Sequence, residues 1–565
     1  MRYLILFVCL LIGSQGFSQK QKHKMYVDFW DFEKSVMRSK GFYYADDFQG
    51  ETTMKHGKWE YWDRQGRLEE VHHYFKDQLH GKALSYYPSG KKKEEGFFVM
   101  GKQDSTYTSW HSTGNVKVEG YYQMDRPVGE WKYYYPNGYH MMIEENVDSV
   151  TYVQSFWKTD STQTLKEGDG RTFIYYESTG FLQQFYTYKD GLKDDDFEEY
   201  SPNAEILVLG QYKEGDKVGD WTYYYYLGGI DRKITYLADE PHGDYLKYYD
   251  NGQLNIRGEF KQGEKTGKWT WYTNVGTKDM EGEFVNGEQD GLWKYWMPGD
   301  STQLSSKGYF QKGKRHGKWE FFYKNGAKWK EGEYKNDLED GVWKTWYENG
   351  QLLKEGTFVE GKENGHWEQF FDNGQLKNAA DFDHGKLNGT WQSFFPNGKL
   401  HLQGEYDNDL KIGEWTRYDE KGVLLEQGNY KIINYKKHVK YGPFSKRTLK
   451  ESVKSGTWVF YSQKDGGKTH EGKYKDGKEE GEWVFYFPGG EKAERIVNYK
   501  GGRLDGKMLL YNWRPHYVTT EIHYKDGLKH GKMYVYNKRG KVKAEKTFEE
   551  GLEVLPGGKP KTFSP

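Results

Sequence analysis

The sequence predicts an all-β fold: an elongated repeat array of stacked antiparallel β-hairpins, about nineteen copies of a 24-residue repeat in a single twisted meander sheet. The first observation behind this is the period. Gly317-Lys318-Trp319, Phe322 and Asn325-Gly326 return as Gly341-Val342-Trp343, Trp346 and Asn349-Gly350, again as Gly365-His366-Trp367, Phe370 and Asn373-Gly374, and again as Gly389-Thr390-Trp391, Phe394 and Asn397-Gly398. The second is the Asn-Gly pair between aromatic-rich runs, the strongest short-range hairpin signal. The third is composition. Aromatics make up 18% of a chain that is otherwise highly charged, so the protein folds around rings where a disordered chain would lack them.

Taken in chain order, residues 1–18 read as a signal peptide: Arg2, a short apolar run from Tyr3 to Ile12, then small residues up to Ser18, leaving Gln19 first after cleavage. The apolar run is too short to span a membrane, and Cys9 lies inside it rather than at a lipidation position. Residues 19–56 form an N-terminal lead-in and cap. Within it, Asp28 to Lys40 is expected to form a short helix covering the sheet edge, with Asp28 as N-cap and Gly41 just beyond its end. Residues 57–548 are the array, with insertions near 139–157 and 431–454, and residues 549–565 are a C-terminal tail. The stretch from Met141 to Phe156 looks irregular.

With the repeat glycine as position 1, Trp stands at 3, an aromatic at 6, Asn-Gly at 9 and 10, Gly at 16 and Tyr or Phe at 18. A type I′ turn at Asn-Gly would pair 8 with 11, 7 with 12, 5 with 14 and 3 with 16. Trp319 then lies opposite Gly332, Trp343 opposite Gly356 and Trp391 opposite Gly404, each indole covering the glycine it faces. Position 1 would face position 18, its glycine leaving room for the ring there. Position 6 either returns to the Trp face through a bulge or makes both faces aromatic. Residues 19 to 24 of each copy read as polar surface turns.

Basic and acidic residues number 83 and 84, a net charge of −1, so no field of one sign draws in nucleic acid. Histidines recur before the repeat glycine at His56, His80, His242, His316 and His530; a metal or proton-relay row is one reading, a tolerated turn residue the other. Asp194-Asp195-Asp196 and Glu339-Asp340 could ligate calcium, but the Gly-rich nonapeptide of calcium β-rolls is missing, which favours solvated turns. No hydrolase or phosphate-loop motif stands out. We therefore expect no catalytic residue, no cofactor and no metal. The tryptophans Trp269, Trp293, Trp319, Trp343, Trp367, Trp391 and Trp415 are assigned to the repeat core, with ligand cages for choline or glycan as the alternative. The basic insertion, with Lys436, Lys437, Lys440, Lys446 and Arg447, is a candidate interaction segment, or else a solvated loop.

The Gly-x-Trp core, the Asn-Gly turn and second strands such as Lys330-Glu331-Gly332-Glu333-Tyr334 and Lys354-Glu355-Gly356-Thr357-Phe358 resemble the MORN-repeat variant family, including bacterial YwqK-like antitoxin repeat proteins. The resemblance implies a hairpin array that binds other macromolecules, and the antitoxin label implies neutralisation of a partner toxin. The expected function is an exported, non-enzymatic scaffold for protein–protein or envelope interactions, in the periplasm, at the cell surface or secreted. The partner is a protein or an envelope polymer, not nucleic acid, and the chain is not an integral membrane protein.

Overall fold

The computed structural model describes residues 23–46, 50–438 and 446–554. These residues are all β: they contain no helix, and so none long and apolar enough to cross a membrane. The chain forms two compact units, Met1–Glu264 and Lys265–Pro565, each an antiparallel meander of consecutive hairpins. In the first, strands run from Lys24–Phe29 to Leu254–Lys261; in the second, from Glu264–Tyr272 to Leu552–Val554.

The repeat beginning at Gly317 shows the register. Strand Lys314–Phe322 pairs with Lys328–Lys335 so that Gly317 faces Tyr334, Trp319 faces Gly332 and Phe321 faces Lys330, as the spacing predicts. The turn differs. Tyr323 N donates to Ala327 O at 2.8 Å, Gly326 N donates to Tyr323 O at 3.0 Å, and Gly326, at φ 86°, is the residue of the pair that takes the left-handed region. This is a type I turn closed by a glycine bulge, not type I′. Asn325 Oδ1 accepts from Ala327 N at 2.9 Å, which holds the asparagine in its turn conformation. A second register shift, between Phe321 and Phe322, then absorbs one residue and restores the expected pairing further along.

The type I′ geometry sits in the connectors instead. Asn336 and Asp337 both have positive φ, 52° and 70°, and join the facing pair Lys335 and Leu338. Asp337 Oδ1 also accepts from Arg315 N at 2.9 Å, tying one connector to the one before it.

Position 1 is glycine for conformation and not for room. Opposite the single residue Gly332, between the pairs Glu331–Lys344 and Glu333–Asp340, the next strand fits Gly341, Val342 and Trp343. Gly317 has φ 64°, and an added Cβ there would meet open space. The bulge imposes the backbone that glycine supplies without strain.

The lead-in is not helical. Asp28 to Lys40 falls across strands Lys24–Phe29 and Met37–Asp46, which pair antiparallel with Val27 opposite Lys40. The polar residue that acts locally is Asp31, whose carboxylate accepts from Ser35 N at 2.7 Å and Val36 N at 2.9 Å, closing a loop. Strand pairing satisfies more backbone here than a short isolated helix would.

The Met141 to Phe156 stretch is regular. His140–Val147 and Val150–Trp157 are ladder strands paired with Met142 opposite Phe156. With the next strand, Gln163–Lys166, they form a core of Val153, Phe156 and Leu165, with Met141, Met142, Phe173 and Tyr188 packed on it, in place of the Trp and Gly signature. Residues 424–438 and 446–461 likewise continue as long paired strands.

Candidate binding surface

Alternation gives the repeat two unlike faces, and each must be built before either can be offered to a partner. On the first face, positions 3, 5 and 18 form a row of rings. Trp319 meets Phe321 stacked at 5.9 Å, and lies edge-on to Tyr334 at 5.9 Å and Phe310 at 5.3 Å. Edge-to-face pairs of this kind add to the stabilisation from buried area.

The indoles are core. Trp269, Trp293, Trp319, Trp343, Trp367 and Trp415 are buried. Trp293, Trp319, Trp343, Trp367 and Trp415 each cover a glycine, but that of the preceding hairpin and not the partner within their own hairpin. An added Cβ on Gly332 would overlap Trp343, and one on Gly308, Gly356, Gly404 or Gly428 would overlap Trp319, Trp367, Trp415 or Trp458 respectively. The indole N–H donates to the carbonyl just after that glycine, Trp343 Nε1 to Glu333 O at 3.1 Å and Trp367 Nε1 to Thr357 O at 3.2 Å. Trp415 instead reaches back to Ile412 O at 3.1 Å. Trp391 is the exception among the predicted seven: it is half-buried, because the residue beneath it is Ala380.

The outer faces of Trp269, Trp343, Trp367, Trp415 and Trp458 are covered by lysines that the sequence reading missed. Lys330 Nζ lies 4.2 Å from the Trp343 ring centre, Lys354 4.3 Å from Trp367, Lys411 4.1 Å from Trp415 and Lys454 3.9 Å from Trp458. Burial lowers the pKa of the Lys265, Lys411 and Lys454 amines. The place where a quaternary ammonium ligand would stack is thus occupied by the protein's own cation. The signal was present as Lys at position 14, or just before the next repeat glycine.

The second face carries positions 2, 4, 6, 12 and 15, so both faces are aromatic. Lys328, between Glu320 at 3.2 Å and Glu331 at 2.6 Å, also lies over the position-6 ring of Trp346 at 5.5 Å. Burial works against ionisation of Glu320, yet hydrogen bonds from Lys307 and Lys328 hold its carboxyl below the usual range. Such exposed pairs contribute little stability individually, but their alternating charge keeps an uncovered sheet face soluble.

Along the turn edge a second unforeseen row appears. The hydroxyl of Tyr323 donates to Trp346 O at 2.8 Å and that of Tyr347 to Phe370 O at 3.0 Å; Tyr225 does the same to Tyr248 O at 2.7 Å in the first unit. Where position 7 is tyrosine, it thereby fastens one hairpin to the next.

Three places depart from the repeating plan. In the first unit a groove of about 1030 Å³ is lined by His111, Tyr133, Tyr135, Lys158, Phe173 and Tyr175, among others. Lys158 Nζ already lies over Phe173 at 4.3 Å, and Tyr133 donates to Glu144, whose carboxyl burial pushes up. At the candidate basic segment, the backbone of Lys436, Lys437, Lys446 and Arg447 belongs to paired strands, with Lys437 opposite Arg447, while Lys440 lies outside the described residues. Two of the recurring histidines hydrogen-bond in the connectors, Nδ1 of His80 accepting from Met100 N at 3.3 Å and that of His242 from Gln262 N at 3.4 Å, whereas Nδ1 of His56 and of His316 is buried with no hydrogen-bond partner among the described residues. Among the described residues no group of three or more His, Cys, Asp or Glu side chains is placed to hold a metal. Of the acidic connectors, Asp194 pairs with Lys213 at 3.0 Å and Glu339 with Lys330 at 2.7 Å.

No curated protein matches the sequence. Solved structures aligned with it include the TcdB2-TccC3-Cdc42 complex, at 10% identity and TM-score 0.13 over 91% of this chain and 28% of that one. TcdB2-TccC3 aligns at 10% identity and TM-score 0.12 over 94% and 34%, and a Photorhabdus luminescens Tc holotoxin pore at 11% and 0.12 over 92% and 28%. The chain spans about a third or less of those chains, and scores this low carry no argument about function. The family described as MORN repeat variant matches residues 79–100, 127–138, 241–262, 315–336, 339–360, 363–384, 387–408 and 411–431. Four of these segments, 315–336, 339–360, 363–384 and 387–408, are Gly-x-Trp and Asn-Gly hairpins of the kind just described, and the chain carries MORN-variant repeats in all eight.

Proposed function

We propose that the protein is an exported, non-enzymatic scaffold that binds a protein partner through the variable surface of its hairpin array. The observation that carries this reading is the self-filled indole seat. With Gly332 beneath Trp343 and Lys330 above it, the repeated residues are spent on the fold. Specificity then falls to positions that change from copy to copy, such as Lys318, Val342, His366 and Thr390 at position 2, and to the places where the period is broken. An antitoxin-type role, implied by the resemblance to YwqK-like repeat proteins, is one form of such binding. The leader at residues 1–18 supports export to the periplasm, the cell surface or the medium.

Cross-linking of the full chain in its native envelope, followed by mass spectrometry, tests the reading. Adducts to one protein at surface positions are expected, together with a mature N-terminus at Gln19. A choline or glycan titration that changes tryptophan fluorescence, with no protein adduct, would replace the scaffold reading with the ligand-cage one.

A further inference from the structure

The strands Leu424–His438 and Lys446–Tyr461, of 15 and 16 residues, overrun their neighbours Leu410–Tyr418 and Lys468–Lys475, of 9 and 8. Pairing with the strand before ends at Gly413 opposite Tyr430, and pairing with the strand after begins at Gly456 opposite Tyr474. Lys431, bridged to Asp476 at 2.9 Å, and Lys454, whose carbonyl accepts from Gly477 N at 3.1 Å, mark where the neighbouring connector ends. Beyond them, 432–438 and 446–452 pair with each other and, among the described residues, with no other strand. Among the described residues, each overhanging strand therefore presents an outer edge whose backbone N–H and C=O groups have no ladder partner.

The charge of this overhang is unlike that of the array. Its described positions hold Lys436, Lys437, Lys446, Arg447 and Lys450 against the single acidic residue Glu451, in a chain whose net charge is −1. In the ladder register Lys437 is the partner of Arg447. At the alternate register positions Lys436 partners Thr448, Asn434 partners Lys450 and His438 partners Lys446. Elsewhere, lysines such as Lys328 are set between glutamates.

We propose that this overhang accepts an acidic, extended segment of the partner protein as an added β-strand. The inference rests on the scaffold reading above and names the partner's chemistry. Open edges reward a backbone that can complete the ladder, and flanking cations admit one carrying carboxylates. The same cations repel a second copy of the overhang, which is how exposed edges are kept from self-pairing. A polyanion without peptide groups would meet the charges and leave the edges unfilled.

The test uses the full chain and a short synthetic peptide alternating Glu and Val, with a Lys-Val peptide, heparin and phosphatidylserine vesicles as alternatives. The Glu-Val peptide is expected to bind, to slow hydrogen exchange at amides within 432–438 or 446–452, and to be rejected about tenfold or more by the Lys436→Glu, Lys450→Glu variant. Two results overturn the proposal: peptide binding with exchange in both segments unchanged, or binding of vesicles or heparin where the peptide fails. A chain in which 432–452 is replaced by Asn-Gly keeps the array. If that shortened chain still captures the cross-linked partner, the acidic-strand inference falls while the scaffold reading stands.

Discussion

Trp343 and Trp391 occupy the same position of two repeats in the same unit, yet one is 2% exposed and the other is half-buried. Trp343 lies over Gly332, is covered by Lys330 and donates its indole N–H to Glu333 O. Beneath Trp391 is Ala380, and the place of Lys330 is taken by Asn378. Trp391 keeps its edge contact with Tyr406 at 6.3 Å and stacks on Trp415 at 5.9 Å, but less of it is buried. A methyl group beneath the ring and a missing ammonium above it separate the two states. A position-3 indole is therefore seated by the repeat before it, and the smallest unit that is complete in itself is a hairpin plus the strand that follows.

The largest expected effect comes from emptying the filled seat. Trp343→Ala removes a fully buried ring together with its edge contact to Tyr334 at 5.0 Å, and should cost about 3–5 kcal/mol in local stability. Hydrogen exchange of amides in Leu338–Trp346 is the proper readout, since an array of neighbour-only contacts opens locally before it melts. Exchange unchanged from the parent would show that the indole is not core.

Gly332→Ala comes next and tests the seat from below. The new Cβ would overlap Trp343 Cδ2 and Cε2, so the ring must leave, reproducing the Trp391 arrangement at a cost of about 1–3 kcal/mol. Oxidative footprinting of Trp343 should rise to the level of Trp391. A variant whose Trp343 stays protected would mean that the glycine is not what seats the ring.

Much of this was legible in the sequence. Period, strand pairing and the 3-to-16 register followed from spacing alone, because Trp319 does face Gly332. The turn types were read in the wrong places: Asn-Gly suits both a type I′ turn and a type I turn with a glycine bulge, and the compensating shift at Phe321 hides the difference from strand spacing. Which indole covers which glycine was in principle readable. Trp221 and Trp483 are buried although their own partners are Ile234 and Val497, whereas the residues that follow Ile234 and Val497 at position 3 are Tyr245 and Met508. A bulky position 16 goes with the loss of the next tryptophan, not of its own. The basic segment read as an insertion and gave no sign of continuing the strands, because Lys- and Arg-rich composition masks the alternation that marks a ladder.

Trp391→Ala should cost less than its counterpart, about 1–2 kcal/mol, because a ring already partly in water has less buried area to lose. It should also disturb Trp415 through the lost stack, which footprinting of Trp415 would report. A cost equal to that of Trp343→Ala would erase the distinction between the two seats.

The smallest energetic effect, and the sharpest test of the comparison, is Ala380→Gly. Removing the methyl lets the Trp391 indole settle over the backbone as Trp343 does over Gly332. Two terms keep the gain small. Glycine in a strand is entropically unfavourable by about 0.5–1 kcal/mol, and Asn378 supplies no ammonium to cover the ring. Net stabilisation should therefore be under about 1 kcal/mol, while protection of Trp391 from oxidation should approach that of Trp343. Adding Asn378→Lys then provides the missing cation, worth about 0.5–1 kcal/mol at a partly exposed ring. Burial should thus appear with the first substitution and stability with the second. If Trp391 in the Ala380→Gly chain is oxidised as fast as before, the methyl is not the cause of its exposure, and the neighbour-seated indole fails as the rule of this array.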